Sequence, residues 1–300
     1  MTMRAPPVRL AGSDGERGVR RFVLVFVAAV SVGFVSGCGG GGSTPTTPTI
    51  APARVYRLAG FQPARPVEAG RPTEVQFLIK LPSGATLTRY RTGPGPHTGV
   101  DLIIVRQGAD ALIYTDTTVG KRGLARENIT LPAPGRYRVV VDAYPNEAGV
   151  PRNFQLFTTI RATGSTPAPV LPLSTHSVTV DGYRFTIHGH PDLKAIQPAV
   201  ITITVTDPHG RPAQFQPLEG ALAHAIFIRF GTLDYFHTHV CSPSLPGCTT
   251  LAGGPPVGKT VGAGRLRVGV LLPLSGTWRL FLLTKLGGRV ITAPLALHVG

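Results

Sequence analysis

The chain has 300 residues, a formal net charge of +15 and a high content of glycine (37 residues) and proline (29 residues). This density of glycine and proline, together with scarce helical periodicity, disfavours a helical fold and favours many short strands and turns. Arginine outnumbers lysine 25 to 5, which is typical of a coding bias, and no basic run is interleaved with aromatic residues. The positive charge therefore does not indicate a nucleic-acid partner.

Residues 1–37 are predicted to be a secretory signal peptide. Three arginines (Arg17, Arg20 and Arg21) precede the apolar run 22–34, and small residues follow it up to Cys38. A charged part, an apolar part and a small-residue part in this order are typical of a secretory signal. A transmembrane anchor is the alternative, but residues 22–37 number only 16, fewer than the ~20 that span a bilayer.

The residues Val35-Ser36-Gly37-Cys38 resemble the lipobox of bacterial lipoproteins. The resemblance implies cleavage before Cys38, a lipid on its thiol and an extracytoplasmic protein anchored to the membrane. Residues 1–37 hold five arginines and two acidic residues, so +12 of the +15 remains on the rest of the chain. A basic body of this kind can lie against anionic lipid or an anionic envelope polymer. Residues 38–53, rich in Gly, Thr and Pro, are expected to form a flexible tether.

An internal repeat follows the tether. Three pairs of segments align in the same order, at offsets of 126, 123 and 141 residues: Pro72–Gly84 with Pro198–Gly210, Val100–Arg106 with Ala223–Arg229, and Leu131–Arg138 with Leu272–Arg279. Each copy contains short apolar runs bounded by Gly and Pro, which is typical of an antiparallel sandwich. We therefore expect an all-β protein with two tandem immunoglobulin-like β-sandwich domains, 54–163 and 176–300, joined by a linker at 164–175.

The segment Ala221–Val240 is predicted to form a β-hairpin that turns at Phe230-Gly231. A turn centred there places His224 opposite His237, and His239 lies on the same face because side chains alternate along a strand. Both faces of this hairpin are apolar, which predicts a central, buried position in its sheet.

Three imidazoles that converge on one face form a common ligand set for Cu(II) or Zn(II). Copper is the first expectation, from the exported compartment and the Irving–Williams order, and zinc the second. The alternative is a structural polar patch in which His224, His237 and His239 bond one another, Tyr235 or a backbone carbonyl. The first copy has Asp101, Tyr114 and Asp116 at the equivalent positions. These residues can bind a harder cation or are merely polar positions of a degenerate copy.

The pattern of His224, an apolar strand ending in Arg229, and Tyr235-Phe-His237-Thr-His239 resembles a domain of uncharacterised exported and lipid-anchored bacterial proteins. The resemblance covers most of residues 54–299 and implies the fold and a metal site, but no reaction. In that group the first copy also tends to carry histidines, which this chain replaces.

Cys241 and Cys248 flank a turn-rich loop, and an oxidising compartment favours a disulfide between them over a pair of thiolate metal ligands.

No catalytic carboxylate pair and no nucleophile elbow are found, so we expect that the protein is not an enzyme. The leading hypothesis is an envelope protein that binds copper or zinc. The alternatives are a non-catalytic adhesion or scaffold module, which binds a protein or an envelope polymer, and a zinc hydrolase.

Overall fold

A computed structural model describes residues 55–93, 96–189, 191–240 and 262–300. Every helix or strand found in these residues is a β-strand, which confirms the predicted all-β class. The described residues belong to one unit, Ala53–Gly300. Across them, no helix is long and apolar enough to cross a membrane.

Several predicted features lie outside the described residues. These are the signal peptide 1–37, the tether 38–53 with the lipidation site Cys38, and the disulfide partners Cys241 and Cys248.

The first sandwich consists of nine strands: β1 (Arg57–Gln62), β2 (Val67–Glu68), β3 (Pro72–Lys80), β4 (Val100–Arg106), β5 (Leu112–Asp116), β6 (Thr118–Val119), β7 (Ala125–Thr130), β8 (Gly135–Ala143) and β9 (Phe154–Thr163). One sheet has the order β1-β3-β7-β6 and the other the order β2-β9-β8-β4-β5. All pairs are antiparallel except the short β2–β9 pair. This is the strand order of an immunoglobulin sandwich, in which an A-B-E-D sheet faces a G-F-C-C′ sheet.

The described part of the second sandwich has ten strands: β10 (Ser177–Val180), β11 (Tyr183–Ile187), β12 (Ala199–Thr206), β13 (Gln214–Gln216), β14 (Ala223–Arg229), β15 (Tyr235–Val240), β16 (Gly262–Ala263), β17 (Arg265–Val270), β18 (Gly276–Leu286) and β19 (Arg289–Val299). Its sheets have the orders β10-β11-β12-β17 and β15-β14-β18-β13-β16, and β19 also pairs with β18. Strands β12, β14, β15, β17, β18 and β19 thus take the places of β3, β4, β5, β7, β8 and β9. The exact domain bounds at 163 and 176 stay predictions.

In each copy, the strand that follows the Pro–Gly turn begins with a buried aromatic side chain that donates a hydrogen bond to a backbone carbonyl of that turn. The Tyr137 hydroxyl donates to the carbonyl of Ala133 at 2.6 Å, and the Trp278 indole N–H donates to the carbonyl of Leu274 at 3.0 Å. Both rings are fully buried. The predicted equivalence of Tyr137 and Trp278 is therefore confirmed, and each side chain ties its turn to its core, as a tyrosine corner does.

The two sandwiches pack against each other through the sheet faces that contain β4 and β14. Each of these strands is buried along its length except for its last residue, because one face lies in its own core and the other lies in a shared cluster. The shared cluster contains Ile103, Val105, Ala109 and Val140 from the first sandwich, and Leu218, Ile226, Ile228, Leu233, Phe281 and Leu283 from the second. It forms a third core between the two sandwich cores.

This packing corrects the predicted central position of the histidine hairpin. Strand β15 is an edge strand, with β14 as its partner within the sheet. The second face of the hairpin is buried because it contacts the other sandwich. The prediction was wrong because an apolar pattern indicates that a face is buried but not which element covers it.

We expect Ile103→Ala to lower the free energy of unfolding by about 2–4 kcal/mol, because it leaves a cavity in the shared cluster. Ile103 is fully buried in that cluster. Urea denaturation with a chelator present measures the change. Val290→Ala is the control, since this side chain is 53% exposed and should change stability by less than about 0.5 kcal/mol. Equal effects of the two substitutions would contradict the packing described.

Candidate metal site

The three histidines lie on one hairpin, as predicted, but in a different register. His224 pairs with His239, and His237 pairs with Ile226. The predicted pairing of His224 with His237 is wrong because the loop has four residues, Phe230–Leu233, and not a two-residue turn. The loop is closed by Arg229 N–H donating to the Asp234 carbonyl and by Leu233 N–H donating to the Arg229 carbonyl, both at 3.0 Å. A slip of two residues keeps every side chain on its predicted face.

The imidazoles converge as the sequence indicated. One nitrogen from each of His224, His237 and His239 lies within 4.8 Å of the other two. Nδ1 of His224 is 3.2 Å from Nε2 of His237. Two nitrogens bound to one tetrahedral metal at 2.0–2.1 Å are about 3.3–3.4 Å apart, so this pair already has the spacing that a shared ion requires.

The His224 ring has a defined orientation. Its Nε2 is 3.0 Å from the carbonyl oxygen of Leu218, so Nε2 carries the proton and Nδ1 presents a lone pair to the cluster. Burial, with a contribution from His237, lowers the pKa of His224 to about 3. Burial also lowers the pKa of His239, and His237 and His224 add to the effect. These two imidazoles are therefore neutral at pH 7, which is the form that binds metals.

Neither neutral tautomer of His237 satisfies both of its ring nitrogens in this arrangement. If Nε2–H donates to Nδ1 of His224, the lone pair on Nδ1 is buried and faces the Asp142 carboxyl, whose Oδ2 is 3.8 Å away. If the proton is on Nδ1 instead, two lone pairs face each other at 3.2 Å. Among the residues that the structure describes, Nδ1 of His237 and Nε2 of His239 find no hydrogen-bond partner although both are buried. Unsatisfied buried nitrogens are costly, and a cation relieves that cost.

Acidic and phenolic side chains of the first sandwich face these histidines. The Tyr114 hydroxyl is 3.1 Å from Nδ1 of His224 and 3.3 Å from Oδ2 of Asp101. Its single proton can satisfy only one of those two acceptors. Asp142 accepts hydrogen bonds from Tyr144, Tyr235 and Gln155 at 3.3, 3.2 and 2.8 Å. The cluster is consequently rich in hydrogen-bond acceptors.

Three aspartates form a row across neighbouring strands of the first sandwich. Asp101 on β4 pairs with Asp116 on β5 and with Asp142 on β8. Burial, followed by the charges of Asp116 and Asp142, raises the pKa of Asp101 well above its usual range, and burial raises that of Asp116. Burial raises the pKa of Glu219, beside His224, to about 7. Within the described residues, no Lys or Arg lies at ion-pair distance from these four carboxyls.

The repeat brings equivalent positions into contact. At the predicted offset of 123 residues, Asp101 corresponds to His224 and Tyr114 to His237, and the paired strands keep this correspondence in their register. The sequence identified these residues of the first copy as equivalents but did not place them against the histidines. Face-to-face packing of the two sandwiches does so.

Asp142, Glu219 and His97 were not predicted as one site with the three histidines. Asp142 follows the apolar run of β8. A single charged residue in a strand that is otherwise apolar could have identified it as a candidate site residue from the sequence. The ring centroid of His97 lies 4.6 Å from that of His239. Glu219 lies in a connecting segment, where the sequence offers no comparable signal.

A cleft of about 440 Å³ opens beside the cluster. His237, His239 and Asp142 line it, together with the cationic side chains Arg91 and Arg152. The histidines therefore have an entry path for an ion or a small ligand, which a metal site requires.

Residues 178–300, which include the three histidines, match the model of a domain of unknown function (DUF8832). No curated protein matches the chain. Solved structures with similar folds include native Escherichia coli alpha-2-macroglobulin, which is 10% identical over 82% of this chain and 14% of that chain at a TM-score of 0.27. This chain thus spans about one seventh of the length of that protein.

Two further solved structures have a more comparable length. The fibronectin(III)-like modules of CbhA from Clostridium thermocellum are 10% identical over 81% of this chain and 94% of that chain, with a TM-score of 0.19. Dpr11 IG1 bound to DIP-gamma IG+IG2 is 10% identical over 82% and 98%, also with a TM-score of 0.19. The immunoglobulin-like assignment rests on the strand order and not on these low scores.

We expect Asp101→Asn to stabilise the metal-free protein at pH 8 by about 1–2 kcal/mol, because it removes a buried charge that lies beside two others. Folding raises the pKa of this carboxyl above its unfolded value of 3.8. Its contribution to the free energy of unfolding is therefore complete below pH 3.8 and is lost as the pH rises through the folded pKa. The gain from asparagine should therefore be larger at pH 8 than at pH 5.

Urea denaturation with a chelator at the two pH values measures this difference. Asp192→Asn is the control, since its side chain is 81% exposed and the substitution should have little effect at either pH. A loss of stability in Asp101→Asn that is equal at both pH values would show that the carboxylate is not under electrostatic strain.

Proposed function

We propose that the protein is an extracytoplasmic, lipid-anchored metal-binding protein whose site binds Cu(II) or Zn(II) through His224, His237 and His239. One observation carries the proposal: three buried imidazoles converge around His237, and neither neutral tautomer of His237 satisfies both of its ring nitrogens. A divalent cation among the ring nitrogens removes the lone-pair repulsion and uses the unpartnered Nε2 of His239 as a ligand.

The ligand atoms follow from the hydrogen bonds. Nδ1 of His224 is available because Nε2 donates to a backbone carbonyl, and Nε2 of His237 faces the same point. Nε2 of His239 is buried without a partner. A metal-bound histidine usually donates its other ring N–H to a carbonyl or carboxylate, which sets its tautomer. The Leu218 carbonyl already serves His224 in this way.

Three nitrogen donors suit both copper and zinc, and the Irving–Williams order favours Cu(II) where both ions are present. The cleft beside His237 and His239 leaves the site accessible from solvent. An accessible site suits uptake and release of an ion better than a permanent structural role, for which closed coordination is usual. We therefore assign the protein a role in metal handling at the cell envelope and no reaction of its own.

A second candidate function is a non-catalytic module that binds an anionic envelope polymer. Arg136 on β8 pairs directly with Arg161 on β9, and both are exposed with no acidic partner among the described side chains. Together with Arg65 they line a surface hollow of about 280 Å³. Adjacent arginines are suited to phosphate or carboxylate groups. This surface is distinct from the histidine cluster, so the two functions can be tested separately.

We expect the purified protein to bind Cu(II) or Zn(II) with a Kd below about 10 μM, roughly −7 kcal/mol. The double variant His237→Ala/His239→Ala should bind at least about 100-fold more weakly, because two of three ligands are lost. Competition titration against a chromophoric chelator measures both affinities.

His188→Ala is the matched control for that titration. This exposed imidazole lies in the same sandwich, 3.0 Å from the Thr204 hydroxyl, and its loss should leave affinity unchanged. Binding weaker than 10 μM for both ions, or equal binding by the double variant, would refute the metal site. Stability that does not respond to metal would then favour the polymer-binding module.

We expect Cys38→Ala to abolish lipid attachment and to leave residues 1–37 on the chain, because the thiol is the predicted acylation site. Incorporation of a labelled fatty acid during expression in a bacterial host measures the modification. Ser43→Ala in the tether is the control and should be labelled like the unaltered protein. Undiminished labelling of Cys38→Ala would contradict the anchor.

A further inference from the structure

Two buried carboxylates lie on the side of His237 that the three-histidine site does not use. One oxygen from each of Asp101 and Asp142 and one nitrogen of His237 lie within 4.8 Å of one another. The two aspartates are directly opposite on β4 and β8, and each is only 2% exposed. Like charges directly opposite on neighbouring strands repel each other, and burial increases that repulsion.

The two nitrogens of His237 face different sets of donors. Nε2 is 3.2 Å from Nδ1 of His224, whereas Nδ1 is 3.8 Å from Oδ2 of Asp142. The His237 side chain is 3% exposed, and its Nδ1 has no hydrogen-bond partner. An unpartnered nitrogen that is buried to this degree and faces the Asp142 carboxylate is a second, independent indication of a ligand at this point.

We propose that Asp101, Asp142 and Nδ1 of His237 hold a second divalent cation, and that the His237 ring bridges it to the ion of the three-histidine site. This inference rests on the proposed function, because the first ion occupies Nε2. Binding of the second ion at Nδ1 displaces to solvent the ring proton of His237 and any proton on the Asp101 carboxyl. The bridging imidazolate and the two carboxylates then supply three negative charges against the four positive charges of two divalent ions.

Hydrogen bonds already orient the carboxyl groups of Asp101 and Asp142. Tyr144, Tyr235 and Gln155 donate hydrogen bonds to Asp142, and the Tyr114 hydroxyl donates to Asp101. Carboxylates that bind a metal are usually oriented by hydrogen bonds of this kind. Asp142 also lines the cleft, which gives the second ion access.

The mixed donor set indicates the class of ion. Two carboxylate oxygens and one imidazole nitrogen form a harder site than three imidazoles, and such sets suit Zn(II). With copper favoured at the three nitrogens, the geometry assigns a copper ion and a zinc ion about 6 Å apart, the span of two metal–nitrogen bonds across one ring. The second ion would connect the sandwiches, since its carboxylates come from one and its imidazole from the other.

The test is the number of ions that the purified protein retains and the magnetic state of the copper. After equilibration with Cu(II) and Zn(II) and removal of free ions, two ions per chain are expected. With Cu(II) alone, the bridge should couple the spins of two copper ions. The electron paramagnetic resonance intensity per copper should therefore fall as the second equivalent of Cu(II) binds.

Asp101→Asn/Asp142→Asn should retain one ion per chain, bind the second at least about 100-fold more weakly and restore full resonance intensity to the remaining copper. Asp192→Asn, at an exposed carboxylate, is the matched control and should retain two ions. If the double variant fails to fold by circular dichroism, Asp101→Asn alone replaces it, with the same expected result.

The outcomes separate the two proposals. One ion per chain in the unaltered protein, with an uncoupled copper signal, overturns the second site and leaves the three-histidine site standing. Two ions retained by the folded aspartate variant also overturn it. No ion in any form refutes the proposed function itself.

Discussion

The apolar contact between the sheet that contains β4 and the sheet that contains β14 is the interaction on which the histidine cluster depends. Ile103, Val140, Ile226 and Phe281 lie within it, and their burial brings the neighbouring polar positions of both sheets together. Without that contact the His224 face would be open to water and the imidazoles would be individually solvated. Hydrophobic burial between the sandwiches thus imposes an expensive polar arrangement at one end of their interface.

The cost of that arrangement is visible in the proton balance. His224 and His239 are kept neutral by burial, Asp101 resists ionisation for the same reason, and Tyr114 can satisfy only one of its two acceptors. A polar patch that served only the stability of the fold would pair its groups better than this. Strain of this kind is typical of a functional site, and the proposed cation would relieve it.

Several features could be predicted because they depend on local pattern. Alternation identified strands such as β12, and the repeat anticipated that Tyr137 and Trp278 occupy equivalent corners. Two features could not be predicted in this way. The pairing of His224 with His239 depends on how four loop residues close the hairpin. The burial of both faces at the edge strand β15 depends on which sheet covers its second face.

The sequence by itself determined the all-β class, the repeat, and the placement of three histidines on one face of one hairpin, since these follow from side-chain alternation and spacing. The tertiary structure alone decided that Asp101, Tyr114 and Asp142 of the first copy face those histidines. Their approach results from packing between sheets that are far apart in the chain, and no local pattern specifies which buried face meets which. That contact turns a three-histidine hairpin into a larger cluster of imidazoles and carboxylates.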